Sequence, residues 1–246
     1  MGAAQRSTRR LEELAHTVTP MGAISLRRRR DPATGDDVFE VKLDDDFLMS
    51  SLFTVAEEEL ARRGLAALPG TATGLDVLVG GLGLGYTARA ALQDARVRSL
   101  VVVEALEDVV GWHEAGLLPH SAELTGDPRA RLVTGDFFAR LRRGDPLDGA
   151  TRRQFHAVLV DIDHSPHHVL HPSHAGFYTA DGLLHVRDVL RPGGIFALWS
   201  DDPPDDEFMD RLGEVMEAPR AHVVTFPNHL TGGTSANTVY VARRAG

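Results

Sequence analysis

Short apolar runs alternate with helical segments through most of the chain. The apolar runs predict strands at residues 76–79, 99–103, 131–134, 157–160 and 195–199. Segments with apolar residues at helical spacing predict helices at residues 87–93, 109–115, 182–190 and 207–216. Strands that are apolar on both faces and alternate with helices indicate a parallel, doubly wound sheet. Two final strands, 222–226 and 238–242, lie too close in sequence for a helical crossover and should pair antiparallel at its edge.

The first 50 residues have a different pattern. Residues 22–30 and 38–43 flank the turn-forming sequence DPATGDD, which predicts a β-hairpin. Residues 11–15 are expected to form either a short helix or part of a loose arm. An amphipathic helix is expected over residues 51–68, where Pro69 and Gly70 follow. We therefore predict an N-terminal arm and hairpin in residues 1–50 and an α/β domain with a seven-stranded, mainly parallel sheet in residues 51–246.

Composition narrows the range of functions. The chain has 246 residues, a formal net charge of −9 and no cysteine. Thiolate nucleophiles, disulfides and zinc–thiolate sites are therefore excluded. An acidic chain lacks the basic surface that nucleic-acid binding needs, but it suits a small cationic partner. No apolar stretch approaches the length of a membrane span, and the first residues lack the apolar run of a secretory signal. We expect a cytoplasmic protein that binds neither nucleic acid nor a membrane.

A glycine-rich turn and two acidic strand ends predict a nucleotide-like ligand. The sequence GGLGLG at residues 80–85 follows the first predicted strand, and its glycines Gly81, Gly83 and Gly85 let a backbone approach a ligand closely. Glu104 ends the second strand, where a carboxylate can accept both ribose hydroxyl protons. Asp136 and Phe137 follow the third strand and could bind and cover an adenine ring. The turn and Glu104 also fit NAD, but an acid after the third strand favours an S-adenosyl ligand.

These motifs resemble a known fold and family. VLVGGLGLG, VVVEAL, TGDFF, AVLVDID and VLRPGG are similar to the class I S-adenosylmethionine-dependent methyltransferase fold. With the N-terminal hairpin and the aspartate after the fourth strand, the chain more narrowly resembles the spermidine synthase (polyamine aminopropyltransferase) family. The resemblance covers about residues 22–243 and implies a methyltransferase-type sheet. It also implies S-adenosylmethionine or decarboxylated S-adenosylmethionine as cofactor, and a small amine as acceptor.

The chain departs from the family pattern in the acceptor pocket. Family members carry an aspartate inside the glycine turn, whereas GGLGLG contains no acid. Their DEF-x-YQE stretch has lost its polar trio here, where residues 45–51 read DDFLMSS. The D-S-x-D-P loop becomes DIDHSP at residues 161–166. A buried ammonium without carboxylate partners is costly, so ordinary spermidine synthesis is not what these residues predict.

The loop after the fourth strand holds the candidate catalytic residues. Asp161 matches the first family aspartate, and either it or Asp163 could orient His164 as a general base. Tyr178, which matches the family's FY, and His174 are expected at the acceptor. Five histidines occur between residues 164 and 174, which leaves open a metal site or a plain solvated loop. The short, loop-like spacing of the histidines argues against a metal site.

The sequence thus predicts a transferase that moves an aminopropyl or methyl group to a small acceptor. The alternative is a non-catalytic relative of the same fold that binds an S-adenosyl ligand. A nicotinamide-dependent oxidoreductase is a third hypothesis, which rests only on the glycine turn and Glu104. We also expect a homodimer, because hairpins with exposed strand edges tend to be covered.

Overall fold

The computed structural model describes residues 11–19, 22–151 and 153–246 and divides into two compact units, residues 1–54 and 55–246. The first unit contains a four-stranded antiparallel sheet in the order β1-β2-β3-β4. Its strands are β1 (Leu11–Thr19), β2 (Gly22–Arg30), β3 (Asp37–Leu43) and β4 (Asp46–Ser50). The predicted hairpin is confirmed as β2 and β3. In its turn, Asp31 accepts hydrogen bonds from the amides of Ala33 and Thr34.

The short helix considered for residues 11–15 is wrong. These residues belong to β1, which pairs antiparallel with β2. The pairing places Glu12 opposite Arg28, and their side chains form an ion pair at 2.6 Å. Cross-strand contacts of this kind override a weak local preference for helix. Residues 1–10 of the predicted arm lie outside the described residues.

The second unit contains a seven-stranded sheet in the order β10-β11-β9-β8-β5-β6-β7. Its strands are β5 (Leu75–Gly80), β6 (Val97–Glu104), β7 (Ala130–Thr134), β8 (Phe155–Val160), β9 (Leu190–Ser200), β10 (Glu217–Asn228) and β11 (Gly233–Arg243). Strands β5 to β9 pair in parallel, and β11 pairs antiparallel with both β9 and β10. The predicted fold class is confirmed.

Seven helices accompany this sheet within the described residues. They are α1 (Val55–Ala66), α2 (Tyr86–Leu92), α3 (Glu107–Glu114), α4 (Ser121–Gly126), α5 (Phe137–Arg143), α6 (Ala180–Val189) and α7 (Asp206–Val215). A 3-10 helix, Pro172–Tyr178, precedes α6. The patterns did not predict α4, α5 or the 3-10 helix, which are short. None of the described helices has the length and apolar character needed to cross a membrane.

Helices pack on both faces of the sheet. Helix α1 approaches one face closely, because a Cβ at Gly64 would lie 2.6 Å from Leu159 and 3.3 Å from Ala197. On the other face, Phe196 is buried and its ring lies 6.3 Å from that of Phe177. This packing fixes which side chains of α1 face the carboxyl ends of the strands.

Candidate functional site

The glycine turn between β5 and α2 is held close to the end of β8. Gly81 has a φ of 93°, and a Cβ there would lie 2.0 Å from the Asp161 carbonyl oxygen. Gly83 and Gly85 also have positive φ angles, 49° and 90°. A side chain at Gly81 would push the turn away from the strand ends, so glycine is required there. The three glycines predicted to contact a cofactor therefore line the carboxyl edge of the sheet.

Glu104 ends β6 and is bound to this turn. Its Oε2 atom accepts a hydrogen bond from the Leu82 amide at 2.9 Å, and its Oε1 atom accepts one from the Leu106 amide at 2.9 Å. The carboxylate is thus held in one orientation at the strand end, with 9% of the residue exposed. Oε2 also accepts a long hydrogen bond from the Gly83 amide at 3.5 Å, whereas Oε1 keeps a lone pair for a further donor, such as a ribose hydroxyl.

His113 supports the turn from α3, a role that sequence reasoning missed. Its Nε2 atom lies 2.9 Å from the Gly83 carbonyl oxygen, and a Cβ at Gly85 would lie 2.9 Å from its Cε1 atom. The imidazole is fully buried, and burial lowers its pKa. A neutral histidine that donates from Nε2 to Gly83 fits these contacts. The sequence signal was only a histidine inside a predicted helix.

Asp136 and Phe137 start α5. The Asp136 side chain accepts a hydrogen bond from the Ala139 amide at 2.9 Å and so caps the helix. Asp136 is exposed, so its carboxylate can still take a further donor. Phe137 is 2% exposed and packs where a Cβ at Gly80 would be 2.9 Å from its ring. The predicted cover for an adenine ring therefore lies against the backbone of β5.

Asp161 follows β8 and faces Thr87 of α2. The Thr87 hydroxyl donates to Asp161 Oδ2 at 2.6 Å and also lies 3.1 Å from the Glu57 carbonyl oxygen. Burial raises the pKa of Asp161 to about 6; the Thr87 hydrogen bond opposes this shift, and the charge of Glu104 adds to it. A carboxyl group with this pKa can exchange a proton near neutral pH.

Glu57 is the acidic residue that sequence reasoning missed. It lies in the first turn of α1, and its pKa is raised to about 8 by burial, then by the negative charges of Asp161, Glu58 and Asp201. Asp201 follows β9 and accepts a hydrogen bond from Asn237 at 2.6 Å. Glu57, Asp161 and Asp201, called the acidic cluster below, form no ion pair with any described lysine, arginine or histidine. Its charges are therefore left without a cation.

Asp163 has a different environment from Asp161. It is 2% exposed, and its carboxylate accepts hydrogen bonds from the Leu170 amide at 2.7 Å, from His174 Nδ1 at 2.8 Å and from the Tyr178 hydroxyl at 2.8 Å. Burial and the Asp163 carboxylate raise the pKa of Tyr178 well above its ordinary value. Asp163, expected to be catalytic, and Tyr178 and His174, expected at the acceptor, are thus bound to one another and hold the loop from residue 163 to residue 178.

The His164 side chain is bonded to neither Asp161 nor Asp163. Its carbonyl oxygen accepts a hydrogen bond from the Asp201 amide at 2.7 Å, which ties the loop to the end of β9. Its imidazole forms no hydrogen bond or ion pair with any residue that the structure describes. The carboxylates of Asp161 and Asp163 are bonded elsewhere, so neither orients this ring. A general-base role for His164 stays a prediction.

The neighbouring histidines attach the loop to the segment between β9 and α7. His167 Nε2 lies 2.7 Å from Asp205 Oδ2, and His168 Nδ1 lies 3.2 Å from Asp202 Oδ2. Asp205 also caps α7, as its place before Glu207 suggests. Across the described ranges, no three His, Asp or Glu side chains are grouped so as to hold a metal ion.

These features define the class of the protein: a doubly wound α/β chain of the methyltransferase type, with a glycine turn and several acids at the carboxyl edge of its sheet. Comparison with solved structures supports this. The structure is similar to spermidine synthase from Thermotoga maritima, with a TM-score of 0.71 at 18% identity over 95% of this chain and 73% of that one. It is equally similar to a spermidine synthase in complex with the transition state analogue AdoDATO, with a TM-score of 0.70 at 18% identity over 95% of this chain and 72% of that one.

A comparison of sequences narrows the class. Polyamine aminopropyltransferase 2 of Pseudomonas aeruginosa is 31% identical to this chain over 166 residues. The alignment covers 63% of this chain and 44% of that protein, so the match spans less than half of the relative's length. No protein-family model matches the chain. The resemblance to the spermidine synthase family that the motifs predicted is confirmed.

Proposed function

We propose that the chain binds decarboxylated S-adenosylmethionine at the carboxyl edge of the seven-stranded sheet and transfers its aminopropyl group to a small amine. The observation that carries this proposal is the acidic cluster of Glu57, Asp161 and Asp201. Carboxylates that share a partly desolvated site without a cation destabilise the protein, and they persist where a ligand supplies the cation. A polyamine acceptor would bring the positive charge that these carboxylates lack as a partner.

The cofactor would lie along the glycine turn. Glu104 would accept the ribose hydroxyl protons while the Leu82 and Leu106 amides hold its carboxylate. Asp136 would take the adenine amino group with the oxygen that does not cap α5. Gly81 would let the nucleoside approach the backbone. These roles follow from the position of each group and agree with the family resemblance.

The acidic cluster favours the decarboxylated cofactor over S-adenosylmethionine itself. S-adenosylmethionine carries a carboxylate beside its amine, and the ionised Asp161 carboxylate would repel it, as would Glu57 once the pH exceeds its pKa of about 8. The decarboxylated form keeps the amine and loses the repelled group. Methyl transfer from S-adenosylmethionine is therefore the weaker candidate, although a chain without an acid in its glycine turn departs from the family here.

Asp161 is the group best placed to take the proton. The acceptor's neutral amine nitrogen would attack the carbon next to the sulfonium, and the carbon–sulfur bond would break with its electrons going to sulfur. The products are the aminopropylated amine, still carrying an extra proton, and the thioether methylthioadenosine. The ionised Asp161 carboxylate would accept that proton, which its raised pKa favours. Positioning of the two reactants supplies much of the remaining rate.

Release of methylthioadenosine tests the proposal. Chain, decarboxylated S-adenosylmethionine and a panel of diamines and triamines should give product, and Asp161→Asn should lower the rate by about 10²- to 10⁴-fold. Asp210→Asn, an exposed change on α7, should leave it unaltered. If the chain binds the cofactor and uses no amine, it is the non-catalytic relative. If it binds no S-adenosyl compound, both hypotheses are wrong.

We further propose that the protein acts as a cytoplasmic homodimer. Within the four-stranded sheet, β1 is an edge strand, and Leu11 and Val18 on it are 54% and 77% exposed. A strand edge that carries exposed apolar side chains is usually covered by a partner. Light scattering at micromolar concentration should give the mass of a dimer, and a monomer there would contradict this.

A further inference from the structure

A second charged region lies away from the acidic cluster, in a cavity of about 690 Å³. Its walls are formed by the ends of α5 and α6, the residues just before β8 and the beginning of β9. Its charged lining consists of Arg142, Arg143, Arg153, Arg191, Asp145 and Asp188. Four arginines against two aspartates make this cavity basic in a chain whose net charge is −9. Its volume lies within the range of small-molecule sites.

Two of the arginines have unused donors. Arg142 forms no ion pair or hydrogen bond with any residue in the described ranges. The Nε atom of Arg153 is buried and donates to no acceptor among them, although it lies 3.5 Å from an Asp148 oxygen. The Arg153 side chain as a whole is 31% exposed and lines the cavity, so the accessible part of its guanidinium could donate a charged hydrogen bond to an anion there.

The other arginines are explained by the fold. Arg143 pairs with Asp145 at 2.7 Å, and Arg191 pairs with Asp76 at 3.2 Å. Basic side chains near the ends of α5 and α6 also favourably meet the partial negative charge of those helix termini. Arg153 lies 3.5 Å from Asp148 and 4.0 Å from Asp76 and donates to the Ser99 hydroxyl at 3.1 Å. Among the described residues, Arg142 is therefore the arginine of this cavity that the fold leaves without a partner.

A smaller cavity with aromatic residues in its walls adjoins the basic one. Its volume is about 270 Å³, and Leu141, Arg142 and His185 line both cavities. Phe138 and Phe177 belong to its walls, and their rings lie 4.6 Å apart. A ligand that extends past these shared residues from one cavity into the other would meet arginines at one end and aromatic rings at the other.

We propose that these two joined cavities bind a small anion that carries an aromatic or aliphatic group. The anion would accept hydrogen bonds from Arg142 and Arg153, and the apolar group would lie against Phe138, Leu141 and Phe177. No member of the acidic cluster lines either cavity. The site is therefore separate from the proposed transferase site and does not depend on it.

Fluorescence titration of the full chain with 1-anilinonaphthalene-8-sulfonate tests this, because that probe joins an anion to aromatic rings. One molecule should bind per chain, and Arg142→Glu should weaken binding at least about tenfold through the loss of a charged hydrogen bond and the reversal of charge. Arg30→Glu, the same charge change at an exposed residue of β2, should leave the affinity unchanged. Asp161→Asn should also leave it unchanged, which separates this test from that of the proposed function.

Three outcomes would overturn the proposal. The first is equal affinity for the neutral probe N-phenyl-1-naphthylamine, which would show that charge has no part. The second is binding that Arg142→Glu does not weaken, which would place the probe elsewhere. The third is equal weakening by Arg30→Glu, which would reduce the effect to net charge. If Arg142→Glu melts at a lower temperature than the parent chain, Arg142→Gln replaces it, with a smaller loss expected.

Discussion

Two acidic groups lie at opposite edges of the same sheet, and their surroundings differ. Asp76, near the start of β5, is 2% exposed and is surrounded by cations. Arg98 donates to both of its oxygens, at 2.8 and 2.7 Å, and Arg191 donates to one at 3.2 Å. Arg153 lies 4.0 Å away. At the carboxyl edge, the Asp161 carboxylate accepts a hydrogen bond from Thr87, interacts with the acids Glu57 and Glu104, and forms an ion pair with no cation that the structure describes.

The difference separates charges that serve folding from charges kept for a ligand. At the amino edge, several cations compensate one buried carboxylate, so its burial costs little. At the carboxyl edge, Glu57 and Asp161 raise each other's energy, and no described cation relieves them. A site that costs stability in the free protein is typical of a place where a ligand binds or reacts. Three substitutions can break or sharpen this comparison.

Asp76→Asn should have the largest effect, and it should fall on stability alone. The substitution removes the charge that Arg98, Arg153 and Arg191 share, while those side chains stay partly open to solvent. We expect a loss of about 2 to 3 kcal/mol in the free energy of unfolding, below the cost of a fully buried pair. Urea unfolding measures this, and the rate of methylthioadenosine release per folded molecule should not change.

Asp145→Asn is the matched control, because it removes an exposed partner of a single arginine. The Arg143–Asp145 pair should contribute less than about 0.5 kcal/mol. Equal losses for the two variants would show that the amino-edge cluster is no more than a surface ion pair. A loss of activity in Asp76→Asn at unchanged stability would remove the distinction between the two edges.

The positions of the strand-end acids are the part of the site that the sequence predicts well. Glu104 is the last residue of β6, and Asp161 directly follows β8. Both come after apolar runs whose alternation with helices predicts parallel strands. Because the carboxyl ends of parallel strands meet at one edge, their proximity follows from topology.

Glu57 lies beyond what the sequence can predict. It is one of three consecutive glutamates on an amphipathic helix, a pattern that a solvated face produces equally well. Which glutamate turns inward is set by the rotation of α1, and that rotation depends on the contact of Gly64 with Leu159 and Ala197. Contacts between residues so far apart in sequence leave no local pattern.

Asp161 and Asp163 are also residues whose different roles the sequence cannot predict, although they are close together in the chain. They are two residues apart and look equivalent in DIDHSP. Asp163 is bound by Leu170, His174 and Tyr178, which are 7, 11 and 15 residues further along the chain. The loop closes on one aspartate and leaves the other facing Thr87, and only the folded loop distinguishes them.

Glu57→Gln should make the protein more stable at high pH and weaken its binding of the acceptor. The folded-state pKa of Glu57 is raised from 4.5 to about 8, so the folded chain binds more protons than the unfolded chain between these values. Stability is therefore highest at low pH and falls as pH rises through this window. The variant should lack much of that fall and should be more stable at pH 8 by about 1 to 2 kcal/mol. Urea unfolding at pH 5 and pH 8 measures the difference.

The same substitution should weaken binding of the cationic acceptor. Removal of one carboxylate from the acidic cluster should raise KM for the amine about tenfold with a smaller effect on kcat. Glu59→Gln is the control, since Glu59 pairs with Arg62 and Arg63 on the same helix. A Glu57→Gln variant that is destabilised, or that binds the amine as tightly as the parent, would show that the cluster is not held for a cation.

Thr87→Val should have the smallest effect, and it concerns the proton on Asp161. The Thr87 hydroxyl holds the pKa of Asp161 below the value that burial alone would give. Valine keeps the shape of this buried side chain and removes the donor. The pKa of Asp161 should rise, so the acidic limb of the kcat/KM profile should move about one unit to higher pH. Thr87→Ser keeps the donor and should leave the limb in place. If valine leaves it in place too, or if both variants move it equally, Asp161 is not the group whose ionisation controls the reaction.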